Sequence, residues 1–120
     1  MPIYITQGRY TTDALKGMTV NPENREKAVG DVITRAGGKL LALYFTFGEY
    51  DFLSISEAPN ELVMASVLIA GASSGGVSHL RTTIAMTADD AMKAFQSASE
   101  LRKSFQPAGH HPRHREGEGW

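Results

Sequence analysis

Two periodicities divide the chain. In residues 2–10, Ile3 and Ile5 alternate with Tyr4 and Thr6, which predicts a strand. Residues 11–20, TTDALKGMTV, keep no sustained period and read as a connector with a short helical turn at most. Asn21-Pro22 looks like a helix start, with Asn21 as N-cap and Pro22 in the first turn. Ala28, Val29, Val32, Ile33 and Ala36 then recur at helical spacing, and Gly37-Gly38 ends the run. KLLALYFTF (39–47) is the strongest strand. Leu41, Leu43, Phe45 and Phe47 fall on one face, and Leu40, Ala42, Tyr44 and Thr46 on the other. Gly48-Glu49 reads as a two-residue connection, after which YDFLSISEA pairs back as a hairpin. Pro59 opens a helix over roughly 60–72 that is apolar nearly all round, which predicts burial on more than one side. VSHLRTTIAM (77–86) is a fourth strand. Thr87-Ala-Asp-Asp90 resembles a capping box, and it begins a last helix with Met92, Phe95 and Leu101 directed inward.

The order β-α-β-β-α-β plus a terminal helix predicts an α+β fold, the ferredoxin-like βαββαβ plait. It has a four-stranded antiparallel sheet with helices on one face. The more aliphatic strand face is expected beneath the helices: Ile3, Ile5, Leu41, Leu43, Phe45, Leu53, Ile55, Leu80 and Ile84. The opposite face then carries Tyr4, Thr6, Ala42, Tyr44, Thr46, Phe52, Ser54, His79, Arg81 and Thr83. A solvated sheet face would show more Lys and Glu. Rings and hydroxyls suit a surface that is half buried and still hydrogen-bonded, so this face is expected to stack on a second copy in a closed two-fold dimer.

Composition narrows the function classes. One domain accounts for 120 residues, assigned to 1–106, with a polar, Gly/Pro-broken tail over 107–120 that reads as disordered. The absence of cysteine excludes a disulfide framework and a thiolate nucleophile. A formal charge of -1 argues against nucleic-acid binding, which needs a basic stripe. RNA-recognition motifs share this element order, and Tyr4 and Phe52 could mimic their stacking rings, but no lysines surround them. No apolar run reaches a membrane-spanning length, and the N-terminus lacks signal-peptide regions, so a cytoplasmic protein without membrane partners is expected.

Four groups of residues are candidates for chemistry. Tyr50 and Asp51 stand at the hairpin, where they could present a proton donor and an acceptor. The structural alternative is that Asp51 binds turn amides while Tyr50 packs. His79 and Arg81, two apart on a strand, would share a face with Tyr4, Thr6, Tyr44 and Thr46 and line an anion- or phenol-binding cavity; the alternative is polar contact across a dimer. Gly71 to Gly76 lacks the lysine of a phosphate loop and follows a helix, so it reads as a flexible connection. His110, His111 and His114 are too loosely spaced for a built metal site. Neither metal nor cofactor is expected.

The segment Gly48-Glu49-Tyr50-Asp51-Phe52-Leu53, with Glu57-Ala58-Pro59 after it, resembles the GYD-domain family. Tyr4 to Tyr10, Gly37-Gly38-Lys39 and Ala85-Met86-Thr87-Ala88 match further, so the resemblance covers about residues 2–100, with a departure in the glycine-rich Ser73–Leu80 stretch. It implies a member of the dimeric α+β barrel group and supplies no activity. Two classes of function stay open. One is a small-molecule site in the dimer cleft, serving as a ligand carrier or a cofactor-free enzyme. The other is a non-enzymatic assembly or regulatory module.

Overall fold

The computed structural model describes residues 1–109. Its elements are β1 (Ile3–Tyr10), α1 (Thr12–Val20), α2 (Arg25–Arg35), β2 (Lys39–Phe45), β3 (Phe52–Glu57), α3 (Glu61–Ser73), β4 (Val77–Ala85) and α4 (Ala88–Arg102). The chain divides into two compact units, Met1–Met86 and the segment from Thr87 onward. In the first unit the four strands form one antiparallel sheet in the order β2-β3-β1-β4, which is the ferredoxin-like arrangement.

The first connection holds two helices where one was expected. Thr11 caps α1, its hydroxyl accepting from the Ala14 amide at 3.2 Å, so TDALKGMTV is a helix and not a connector. It buries no residue fully, which is why no apolar stripe announced it. The cap of α2 is Asn24 and not Asn21; its side chain accepts from the Glu26 amide at 2.9 Å. Helix α2 ends through Gly37 at φ +91°, a left-handed turn that glycine adopts without penalty. Asn60 caps α3 by accepting from the Val63 amide at 3.0 Å.

On β1 and β3 the sheet faces are the reverse of the sequence expectation, whereas Leu43, Phe45 and Leu80 lie on the helix side, and Ala42, Tyr44, Arg81 and Thr83 on the other, as expected. Tyr4, Thr6, Gly8, Phe52, Ser54 and Ser56 are buried beneath the helices, while Ile3, Ile5, Leu53 and Ile55 are half-buried on the face turned away from α1–α3. The physical reason lies in the helices. Met64, with Val63 and Leu68 around it, packs over Tyr4 and Ala58, and the small Gly8, Ser54 and Ser56 between the strand rings leave room for helix side chains. Ser56 is fully buried and donates to the Met64 sulfur at 4.0 Å. Gly8 extends this logic, since an added Cβ would sit 2.7 Å from both Leu80 Cδ2 and Phe52 Cζ.

Two bulges upset the alternation further. On β2, Leu40 faces Ser56 and Ala42 faces Ile55, leaving Leu41 as an extra residue. Leu43 and Phe45 therefore fall in with Leu40, opposite Ser54 and Phe52. On β4, Arg81 faces Gln7 and Ser78 faces Arg9, so His79 and Leu80 together oppose Gly8; His79 takes φ 54°. In the second unit, Thr87 caps α4 as expected, accepting from the Asp90 amide at 3.1 Å. Met92, Phe95 and Leu101, expected inward, are exposed.

Candidate functional site

A cavity of about 570 Å³ lies between the buried sheet face and helices α1, α2 and α3. Phe52 and Leu80 contribute from the sheet, Val29 and Ile33 from α2, and Val67 and Leu68 from α3, so the wall is mostly aliphatic. Polar groups enter at few points. Thr6 pairs its hydroxyl with that of Thr82 at 2.9 Å. Ser54 lines the cavity, is only 8% exposed, and has no side-chain partner among the described residues. Glu23 and Arg25 also line it, and they hold each other at 2.7 Å.

Tyr10 joins this cavity to the hairpin. Its ring stacks on Phe45 (5.3 Å between centroids) and tilts against Phe52 (5.1 Å). Burial pushes its phenol above the ordinary tyrosine value; the Arg25 guanidinium beside it works the other way, and the Asp51 carboxylate adds to the rise. The hairpin itself is longer than a two-residue turn. Thr46 N–H donates to the Asp51 carbonyl at 2.9 Å and its hydroxyl donates to the Tyr50 carbonyl at 2.7 Å, closing a loop over residues 46–51. Asp51 ties this loop to β1: its amide donates to the Gly8 carbonyl at 2.8 Å, and its carboxylate accepts from the Tyr10 amide at 2.9 Å.

The eight candidate residues do not converge. Only Thr6 reaches the cavity. Tyr4 is 3% exposed in the core against Ala58 and Met64. Tyr44 is exposed. Thr46, Tyr50 and Asp51 share the hairpin, with Tyr50 half-buried. His79 and Arg81 are both exposed, and the bulge at His79 interrupts the alternation that would have set them on one face; the His79 Nδ1 lies 3.0 Å from the Ser78 hydroxyl. The residues that sequence reasoning left out are Tyr10, Arg25 and Ser54. A signal for Ser54 existed, because Thr6, Gly8, Ser54 and Ser56 form a small-residue face that admits bulky helix side chains. Arg25 carried none. Among the described residues, no group of three or more His, Asp or Glu side chains could hold a metal ion; His110, His111 and His114 lie outside the described residues, as does all but the start of the 107–120 tail.

A family model described as the GYD domain matches residues 4–95. The chain belongs to the GYD-domain family. The match runs from Tyr4 to the middle of α4 and includes the hairpin. In this GYD domain the motif's aspartate, Asp51, is the residue that bonds the end of β1. A curated relative is the glutamine synthetase and cystathionine beta-lyase binding protein of Thermus thermophilus. It is 29% identical over 77 residues, which is 64% of this chain and 81% of the relative. Among solved structures, the crystal structure of a protein from the same organism aligns at 20% identity with a TM-score of 0.48, over 73% of this chain and 96% of that one. No helix among the described residues is long and apolar enough to cross a membrane.

Proposed function

We propose that this GYD-domain protein is a non-enzymatic binding module of the cytoplasm that pairs with a second copy through its open sheet face and docks other proteins. One observation carries the reading. The outer face of the two central strands is the aliphatic row Ile3, Ile5, Leu53 and Ile55, which α1–α3 leave uncovered. An aliphatic sheet face is unfavourable in water and is covered most economically by another such face, in an aligned two-fold stack. Tyr4 and Thr6 lie on the helix side, which leaves Tyr44 and Arg81 as the expected chamber residues on the outer face and favours assembly over catalysis there.

A second apolar surface supports protein docking. Helix α3 has one charged residue, Glu61, and Leu62 and Ile69 on its outer side are 74% and 67% exposed. The relative from Thermus thermophilus is named for binding two metabolic enzymes, which fits a partner of the same kind for this chain.

Size-exclusion chromatography with light scattering tests the pairing. The wild type is expected at twice 13.0 kDa, and Ile55→Lys, which places a charge in the middle of the aliphatic row, is expected at the single-chain mass with its circular dichroism intact. A wild type that stays single at high micromolar concentration overturns the pairing. Protein docking is tested by capture of purified glutamine synthetase on immobilised protein, with Leu62→Glu and Ile69→Glu reducing retention. Retention unchanged by both variants removes α3 from the reading.

A further inference from the structure

We infer that the cavity between the sheet and helices α1–α3 is a binding site for a neutral, mostly apolar small molecule carrying a carbonyl oxygen, such as a ketone or an ester. This site lies on the opposite side of the sheet from the proposed pairing face, and the inference does not depend on that reading. The space is a cleft partly open to solvent, and its volume of about 570 Å³ is within the range of sites for small organic ligands.

The lining selects the ligand class. Val29, Ile33, Val67, Leu68 and Leu80 give an aliphatic wall that favours an apolar body and holds water poorly. The two charged groups at the wall, Glu23 and Arg25, neutralise each other at 2.7 Å, so no net charge calls for an ionic partner. Asn21 also lines the space but is exposed to water, so the Ser54 hydroxyl is the buried group left over. It is 8% exposed, lines the cavity and has no side-chain partner among the described residues. A buried hydroxyl is normally paired, so its free O–H is a donor awaiting an acceptor. Thr6, the nearest comparable group on the same sheet face, is already engaged with Thr82. A carbonyl on an apolar body satisfies Ser54 and leaves the rest of the wall dry.

The probe is prodan, a neutral naphthyl ketone whose emission reports both apolarity and hydrogen bonding at its carbonyl. Titration into the full chain is expected to give one saturable site per chain with blue-shifted emission. Ser54→Ala is expected to weaken binding by about three- to tenfold, the factor for one neutral hydrogen bond. The same variant is expected to raise the melting temperature of the free protein, because an unpaired buried hydroxyl is removed. Val29→Phe narrows the space and is expected to weaken binding severalfold while circular dichroism stays native. Ile55→Lys, on the other sheet face, is expected to leave prodan affinity unchanged whether or not it alters pairing. Absence of saturable binding, unchanged affinity in Ser54→Ala, or weaker binding with Ile55→Lys but not with Val29→Phe overturns the inference.

Discussion

Replacing Gly38 by alanine tests the packing of the sheet against α2. The Cβ of an alanine there would collide with the Glu57 carbonyl oxygen and stand 3.1 Å from Ile33 Cγ2. Glu57 pairs with Lys39 at the start of the β2–β3 ladder, so the colliding atom is backbone held in register and cannot rotate away. Comfortable carbon contacts lie at about 3.5–4.0 Å, which requires a retreat on the order of 1 Å. Overpacking of this kind costs about 1–3 kcal/mol, against which the stiffer unfolded chain returns about 0.4–1 kcal/mol. The net expectation is a loss of about 1.3 kcal/mol, or roughly 5 °C in Tm for a domain of this size. Gly17→Ala is the control. Gly17 lies inside α1 with nothing within 4 Å of an added Cβ, so the same substitution is expected to stabilise by about 0.5–1 kcal/mol. Urea unfolding followed by circular dichroism measures both. Equal signs for the two variants, or a neutral Gly38→Ala, would refute the close approach of Gly38 to Glu57.

Tyr10 makes stability pH-dependent on the alkaline side. Its phenol titrates higher in the folded chain than in the unfolded one because it is buried. Its contribution is therefore complete below the unfolded value of 10.0 and is lost as pH rises through the folded value, since the unfolded chain releases its proton first. Tyr10→Phe is expected to flatten the decline in urea midpoint above pH 10, and an unchanged slope would contradict the burial argument. Asp51→Ala removes the acceptor of the Tyr10 amide and is expected to cost about 1–3 kcal/mol, whereas Asp51→Asn keeps an acceptor and is expected to recover more than half. Amide exchange at Tyr10 checks this: faster exchange in the alanine variant only is the expected result.

The element order was legible because period and punctuation agreed. Strands alternated, α2 carried an apolar stripe, and Asn60 and Thr87 capped their helices. Helix α1 was not legible, since it buries no residue fully and its start is marked by the Thr11 cap alone. Alternation also revealed two sheet faces without revealing which one the helices cover. Tyr4 lies inside and Ile5 outside because Met64 and Leu68 supply the bulk over the small Ser and Gly residues of the strands. That complementarity spans separate elements and leaves no periodic trace. The cavity between sheet and helices was hidden for the same reason. Thr6 and Ser54 were placed on the face expected to stack on a second copy, and Arg25 reaches Tyr10 only through the placement of a helix start. The bulges at Leu41 and His79 each shift a strand by one residue, which reverses the faces read beyond them.

Those same bulges fall on β2 and β4, the two outermost strands. An intact outer strand offers a row of free amides and carbonyls on which further chains can polymerise without limit. An extra residue breaks that row and twists it, so lateral growth is blocked on both sides of the sheet. Contacts between copies are thereby left to the broad faces, and the proposed pairing there would saturate after one partner.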